Sequence, residues 1–333
     1  MSPTTRFKDK NILIITPFFF DYHKRIKSEL IKLGANVDLI NERVSNSFLS
    51  KVSSRLNLKI YNPVVENYFY KTINSLNRNY DAVLWIKCES PTEKVIKFVK
   101  NKYKDAKQIL FLWDSIKNIN GIEKKLHLFD NIYSFDPEDV SKNRNMKYAY
   151  WGYSSEFTNN QSNDNFEYDL AFIGTIHSIR PKVLEQIKRE CDKYNLNLYL
   201  YQFMPSRILF LAKKLLSSQF KNIKDIKFKP LSTKEMIDIY EKSRAVLEIE
   251  ESNQAGATTR LGEMIGMKKK LVTTFNCKGK DYYRPSNQYV LDVNNIKLDE
   301  KFFKSKYEEL PEEIYKKYSF ENFLNLIFES INK

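Results

Sequence analysis

Between Leu247 and Thr274 the chain reads LEIEESNQAGATTRLGEMIGMKKKLVTT. The pattern predicts a buried strand, a short polar loop with one glycine, a helix opening on Thr258 and Thr259, and a second strand. Gln254, Gly256, Thr258, Thr259, Arg260 and Glu263 then surround one helix start. Gly256 permits close backbone approach, and the threonines can cap the helix or bond a phosphate. Arg260 can neutralise a diphosphate, and Glu263 can accept both hydroxyls of a ribose. Such a set suits a nucleotide-sugar site. The plainer alternative is a capped helix whose Arg260 and Glu263 form a surface i,i+3 pair worth about 0.2–0.5 kcal/mol.

Gly174, Thr175, His177 and Arg180 follow another apolar run and could cradle the diphosphate from a second side, although a lone histidine is as often structural. Asp114, Glu89, Asp21 and His23 are the candidates for acid-base work. A transfer that inverts a sugar carbon needs a base for the acceptor hydroxyl proton, and a carboxylate or imidazole can be that base. Each carboxylate has an alternative as a helix cap or as a partner of Lys87 or Lys117. Arg43, Lys51 and Arg55 could grip a phosphate on a lipid-linked acceptor, or serve as surface charge. The cysteines (Cys88, Cys191, Cys277) and histidines (His23, His127, His177) have no metal-ligand spacing, so no metal site is expected.

The elements that must position these residues alternate. Asn11 to Ile15 reads as a strand, Tyr22 to Leu33 as an amphipathic helix stopped by Gly34, and Asn36 to Ile40 as a strand. Asp81 to Ile86, Gln108 to Trp113 and Asn131 to Ser134 are further strands, with a helix over Pro91 to Tyr103. Alternation of this kind builds a doubly wound parallel sheet that binds ligands at the carboxyl ends of its strands. Those ends carry Asp21 and His23, Lys87 and Glu89, Asp114 and Ser115, and Asp136.

Polar, turn-rich Ser154 to Asn165 is the linker candidate, after which a second set begins. It comprises strands at Tyr168 to Ile173, Asn197 to Tyr201 and Ile226 to Lys229, and a helix at Arg180 to Tyr194. Another helix runs from a capping box at Ser232 and Glu235 to about Lys242. Ser319 to Ile331 is a last amphipathic helix whose apolar face suits packing better than membrane anchoring, because its polar face has few basic residues. The expected domains are 1–155 and 166–318, with 319–333 as a helix packing back on the first.

The 333 residues can hold two ordinary domains, and no stretch is apolar enough to span a bilayer. The polar opening from Met1 to Lys10 lacks the pattern of a secretory leader, so a cytoplasmic location is expected. A net charge of +14 favours anionic partners, though most of the lysine excess reads as solvated helix surface.

The segments NERVSN from Asn41, IKCES from Ile86, LFLWDSIKN from Leu110, YSFDPED from Tyr133, FIGTIHSIR from Phe172 and FKPLS from Phe228 occur in order with the Leu247 stretch. In these the chain resembles the GT-B glycosyltransferases of the group-1-like, spore-maturation type, of the bacterial lipopolysaccharide and capsule biosynthesis kind. Cys88 stands where that pattern has a glycine, and Ala257 where it has a larger apolar residue. The resemblance implies two Rossmann-like domains facing across a cleft, with the donor held by the C-terminal domain and the acceptor by the N-terminal one. It implies transfer from a UDP-type donor to a cell-surface glycan, with Leu231 and Ser232 bordering the base, and peripheral association with the inner face of the cytoplasmic membrane. No cofactor is expected beyond the donor substrate. Arg260, Arg180 and helix starts could meet the diphosphate charge without a metal. The rival readings are a nucleotide-sugar epimerase on the same plan and a basic nucleic-acid-binding protein. For the second rival there is no recognisable RNA or DNA motif, and the aromatics lie mostly in apolar runs such as Phe18 to Phe20 and not interleaved with basic residues.

Overall fold

The computed structural model describes residues 6–18, 21–44, 59–158, 165–221, 223–250 and 256–331. The chain divides into two compact units, Met1–Gly152 with Phe320–Lys333, and Tyr153–Ser319. Unit one contains β1 (Asn11–Thr16), α1 (Tyr22–Lys32), β2 (Asn36–Asn41), α2 (Asn62–Asn74), β3 (Ala82–Ile86), α3 (Glu93–Lys102) and β4 (Lys107–Leu112). It continues with β5 (Asn131–Ser134), α4 (Pro137–Lys142) and β6 (Met146–Tyr148). Its sheet has the order β2-β1-β3-β4-β5-β6, and every neighbouring pair is parallel.

A parallel sheet covered on both faces needs apolar residues at consecutive positions, which explains runs such as Ile12 to Ile15 and Ala82 to Ile86. Successive side chains point to opposite faces. Leu13, Ile15, Val83 and Trp85 therefore enter one core with Phe69 and Ile73 of α2 and Val95, Ile96 and Val99 of α3. Ile12, Ile14, Leu84 and Ile86 enter the other with Ile26 and Leu30 of α1. Gly34, at φ 96°, ends α1 in a Schellman turn: its N–H donates to Ile31 O and that of Ala35 to Leu30 O.

Unit two contains β7 (Tyr168–Thr175), α5 (Arg180–Lys193), β8 (Leu198–Phe203), α6 (Arg207–Leu216), β9 (Ile226–Lys227), α7 (Thr233–Glu241) and β10 (Ser243–Glu248). After these come α8 (Thr259–Gly266), β11 (Lys270–Thr273), β12 (Gln288–Val290), α9 (Glu300–Lys304) and α10 (Glu312–Lys317). The sheet order β12-β11-β10-β7-β8-β9, parallel throughout, is the dinucleotide-fold order, with the direction of winding reversing between β7 and β10. The capping box at Ser232 and Glu235 forms at the start of α7. Among the described residues five helices, α2, α4, α6, α9 and α10, lie where the sequence reading named no element. Strand β7 runs two residues further than expected, so Gly174 and Thr175 pair with Gln202 and Phe203 of β8 inside the sheet.

The last helix, α11 (Phe320–Ile327), followed by a 3-10 turn at Glu329–Ile331, belongs to unit one. Phe320, Phe323, Leu324, Ile327 and Phe328 join the core formed by Ile12, Ile14 and Phe111, and the Phe323 and Phe111 ring centroids are 4.8 Å apart. All three tryptophans, Trp85, Trp113 and Trp151, lie in unit one, so their fluorescence reports that unit alone. We expect Phe323→Ala to cost about 3–5 kcal/mol of unit-one stability by leaving a cavity. Urea unfolding followed by tryptophan emission checks this, and a variant with the midpoint of wild type would show that α11 is dispensable to the core.

Candidate functional site

At the switch point of unit one, between β1 and β3, the carboxyl ends of the strands assemble three carboxylates and three cations. Glu89 Oε2 lies 3.3 Å from Arg43 Nη2 and 3.5 Å from Lys87 Nζ, and Lys87 Nζ lies 2.8 Å from Asp114 Oδ2. Glu42, fully buried, accepts the Glu89 N–H at 3.2 Å. Lys125, reaching in from a 3-10 segment, donates to Cys88 O and Glu89 O at 3.1 and 3.2 Å. The alternative foreseen for Asp114 and Glu89, pairing with lysine, is thus realised at Lys87. The pairs are well shielded, with the Glu89 side chain 3 % exposed, so their mutual attraction is screened far less than that of surface pairs.

The turn that aims these groups is unusual. Lys87 and Cys88 both have positive φ, 70° and 55°, and the Cys88 N–H donates back to Ile86 O, closing a γ-turn of the rare positive-φ kind. Side chains with a Cβ resist this backbone at a cost of about 1–3 kcal/mol each, and glycine does not. A glycine at position 88 would relieve the strain at that residue. Here the Cys88 side chain is buried in the core, and burial pushes its thiol up to about 12, which removes it as a nucleophile at neutral pH. Lys125 holds the carbonyls of the strained turn.

Asp114 is placed by the loop after β4. Ser115 Oγ donates to Asp136, and Ile116 N–H donates to Asp139 Oδ2 at 2.9 Å, so the first turn of α4 anchors that loop. Burial raises the Asp139 carboxyl above its ordinary value. Asp21 and His23 sit apart from this network. Asp21, in the left-handed region at φ 60°, pairs with Lys24 at 2.8 Å. His23 stacks on Phe18 with centroids 4.1 Å apart, and burial lowers its pKa. The link to the cluster is Asn41, whose Oδ1 accepts N–H groups from both Phe18 and Arg43. Arg43 is 11 % exposed and tied to Glu89, so it is not the surface charge that was one alternative. Lys51 and Arg55 lie outside the described residues.

In unit two Arg180, Thr258, Arg260 and Glu263 of the expected donor set meet at the β7/β10 switch point. Arg260 Nη1 lies 3.4 Å from Glu263 Oε2, Nη2 donates to Ile173 O at 3.2 Å, and the guanidinium rests 4.9 Å from the Tyr240 ring centroid. The i,i+3 pair therefore exists but is largely buried, at 19 and 5 % side-chain exposure, and it ties α8 to β7 and α7. Arg180 donates to Ile249 O from Nε and Nη2, at 3.0 and 2.8 Å, and to Thr175 O from Nη1 at 2.9 Å. Both arginines thus satisfy carbonyls where the ladders end and keep their positive charge at the sheet edge.

Thr258 is the cap of α8: its Oγ1 accepts the Arg260 N–H at 3.2 Å and donates to buried Glu248, which also accepts from Thr273 Oγ1 at 2.9 Å. Thr259 is the first helical residue, and Gly256 is buried just before the cap. Gly174 accommodates the ring of Phe172, whose Cζ would lie 2.9 Å from an added Cβ, so packing alone accounts for that glycine. His177 Nδ1 is 3.3 Å from Ser178 Oγ. Ser232 is committed to the α7 cap, its own N–H donating to Glu235, while Leu231 precedes it half-buried. Gln254 lies outside the described residues.

Sequence reasoning missed Glu42, Lys125 and Glu248. Glu42 and Glu248 were findable, since each stands at the carboxyl end of a strand as Glu89 does. Nothing in the sequence signalled Lys125, which reaches the cluster only through the tertiary fold.

No protein-family model matches the chain, and no curated protein matches it significantly. Solved structures do match. The HepE protein of Anabaena in complex with UDP-glucose aligns over 96% of this chain and 99% of its own, at 10% identity and a TM-score of 0.60. The lipopolysaccharide outer core galactosyltransferase WaaB aligns over 96% and 99%, at 14% identity and a TM-score of 0.51. The UDP-GlcNAc 2-epimerase of Methanocaldococcus jannaschii, in complex with UDP-GlcNAc and UDP, aligns over 96% and 99%, at 13% and 0.51. The chain has the GT-B fold. Glycosyltransferases and a nucleotide-sugar epimerase share that fold, so the GT-B architecture leaves the choice of reaction to the residues.

Among those residues Glu42 titrates in the useful range. Burial pushes its carboxyl up to about 7, against the pull of Arg43 and Lys87. In the unfolded chain the same group ionises near 4.5. Between these values the folded protein keeps a proton that the unfolded chain has lost, so this group lowers stability as pH rises through that window and changes nothing further above about 7. Glu42→Gln should remove the effect. Its unit-one stability relative to wild type should rise with pH across the window by at most about 3 kcal/mol and then level off. Urea titrations read by tryptophan emission at stepped pH check this, and a pH-independent difference would contradict it.

Proposed function

We propose that the chain is a glycosyltransferase that moves a sugar from a nucleoside-diphosphate donor, of the UDP type, to a cell-surface glycan acceptor such as lipopolysaccharide or capsule. It works in the cytoplasm at the inner face of the membrane. The observation that carries this reading is the meeting of Arg180, Arg260, Glu263 and the Thr258-capped start of α8 at the β7/β10 switch point of a dinucleotide-type sheet. A pyrophosphate arriving there finds two guanidinium groups and a helix start, and its charge competes with Glu263 for Arg260. Binding of UDP-glucose to HepE, which shares the fold, supports the UDP assignment.

In unit one, Glu89 and Asp114 are the proposed acid-base groups, and Arg43 the proposed acceptor-phosphate contact. Lys87 bridges the two carboxylates, its ammonium 3.5 Å from Glu89 Oε2 and 2.8 Å from Asp114 Oδ2. Glu42, held near neutrality, is a second proton reservoir behind Glu89. Among the described residues no group of three His, Cys, Asp or Glu side chains could hold a metal, and the proposed chemistry meets the leaving diphosphate with arginine. The match to a UDP-GlcNAc 2-epimerase favours epimerisation as the second reading.

Donor consumption by purified protein, with and without a glycan acceptor, separates the two: transfer requires the acceptor and epimerisation does not. Under the transfer reading Glu89→Gln and Asp114→Asn each lower kcat about 100-fold or more while donor binding, followed by thermal shift, persists. Arg260→Gln lowers UDP-sugar affinity about tenfold or more, as expected for loss of a charge-assisted contact. A chelator leaves the rate unchanged. Wild-type turnover in both carboxylate variants would remove them from the chemistry.

A further inference from the structure

Helix α6 carries an apolar face that is exposed among the described residues. Of the ten exposed large hydrophobic side chains among the described residues, five lie on this one helix: Ile208, Leu209, Leu211, Leu215 and Leu216, at 81, 36, 59, 84 and 86 % exposure. At the helical period these side chains and Ala212 span an arc of about 160°. The opposite side is anchored, with Phe210 packed into the unit-two core and its ring centroid 6.2 Å from that of Phe228. Arg207 lies over the Phe228 ring and Lys213 over the Phe220 ring, at 5.4 and 5.0 Å. The helix is thus fixed to its domain by one face and displays leucine and isoleucine on the other.

Charge indicates what covers that face. From Tyr201 to Lys224 there is no Asp or Glu, while Arg207, Lys213, Lys214, Lys221 and Lys224 are all basic. On the helix, Arg207 and Lys214 border the apolar arc on one side and Lys213 on the other. A second copy of the same surface would set these cations against each other. An anionic bilayer pairs with them while it takes up the leucines, the long basic stems reaching from the acyl boundary to the phosphates.

We infer that α6 is an interfacial helix by which unit two docks on an anionic phospholipid bilayer, with Ile208, Leu211, Leu215 and Leu216 entering the headgroup boundary and Lys213, Lys214 and Lys221 at the lipid phosphates. This surface involves none of the proposed donor or acid-base residues and stands whether or not the transfer reading holds. The amphipathic helix that the sequence reading assigned to packing, α11, is buried in a core. The one that behaves as an anchor is the helix whose outward face the fold left bare.

The test is cosedimentation of the full chain with phosphatidylcholine vesicles, with and without phosphatidylglycerol. Wild type should partition about tenfold or more in favour of the phosphatidylglycerol vesicles, and the preference should fall as salt is raised. The double substitution Leu211→Ser with Leu215→Ser should lower binding about tenfold or more without moving the melting midpoint, because both side chains are already in solvent. Lys214→Glu with Lys221→Glu should abolish the phosphatidylglycerol preference. Transfer to a soluble acceptor should be unchanged in all of them, which separates failure of docking from failure of the reaction. Wild type that ignores phosphatidylglycerol vesicles, or a leucine double variant that binds as wild type does, would overturn the inference. So would a concentration-dependent dimer that the leucine variant abolishes, which would assign the face to a second copy.

Discussion

Covering a parallel sheet on both faces leaves little room for charged side chains along its strands, and the charged groups of both candidate sites stand at or just beyond the strand ends. In both units the carboxyl ends present carbonyls that the ladder no longer satisfies, next to helix starts with N–H groups to spare. Arg180 and Arg260 answer the first need in unit two and Lys125 answers it at the turn of unit one. The cations that make these edges stable are the same ones that make them attractive to an anion. Stability and the proposed binding therefore draw on one set of side chains, and the arginines assigned to the donor by that proposal are fold-forming residues as well.

The unit-one cluster shows how burial tunes such an edge. Three carboxylates and three cations in close company would be a neutral, inert network if every pair were equal. Glu42, fully buried, has its carboxyl pushed up by desolvation, whereas Asp114, with its side chain 30 % exposed, remains open to solvent beside Lys87. The strained turn at Lys87 and Cys88 is what brings the groups together, and a backbone in that conformation persists only because Lys125 and the surrounding core hold it.

The two amphipathic helices make a complementary point. Ser319 to Ile331 and Arg207 to Leu216 both have an apolar stripe, yet one stripe is covered by the sheet of unit one and the other lies in solvent. Local pattern states that a face is apolar; it does not state what covers it. The basic, acid-free composition around Arg207 was equally visible in the sequence, and gained meaning only when the helix proved to be anchored through Phe210.

Much of this protein was legible in order along the chain. Apolar runs marked nearly all the strands of the first sheet, Gly34 marked the end of a helix, Ser232 and Glu235 marked the start of another, and the polar residues after each strand marked both edges. These follow from local physics, since burial on both faces, left-handed caps and capping boxes act within a few residues. Partnership was not legible. That Arg260 would be held by Glu263 and Ile173, Arg43 by Glu89, and Glu42 by the Glu89 backbone depends on residues brought together across the chain. Tertiary packing alone decides which charges meet, how much water they keep, and which apolar face is left uncovered.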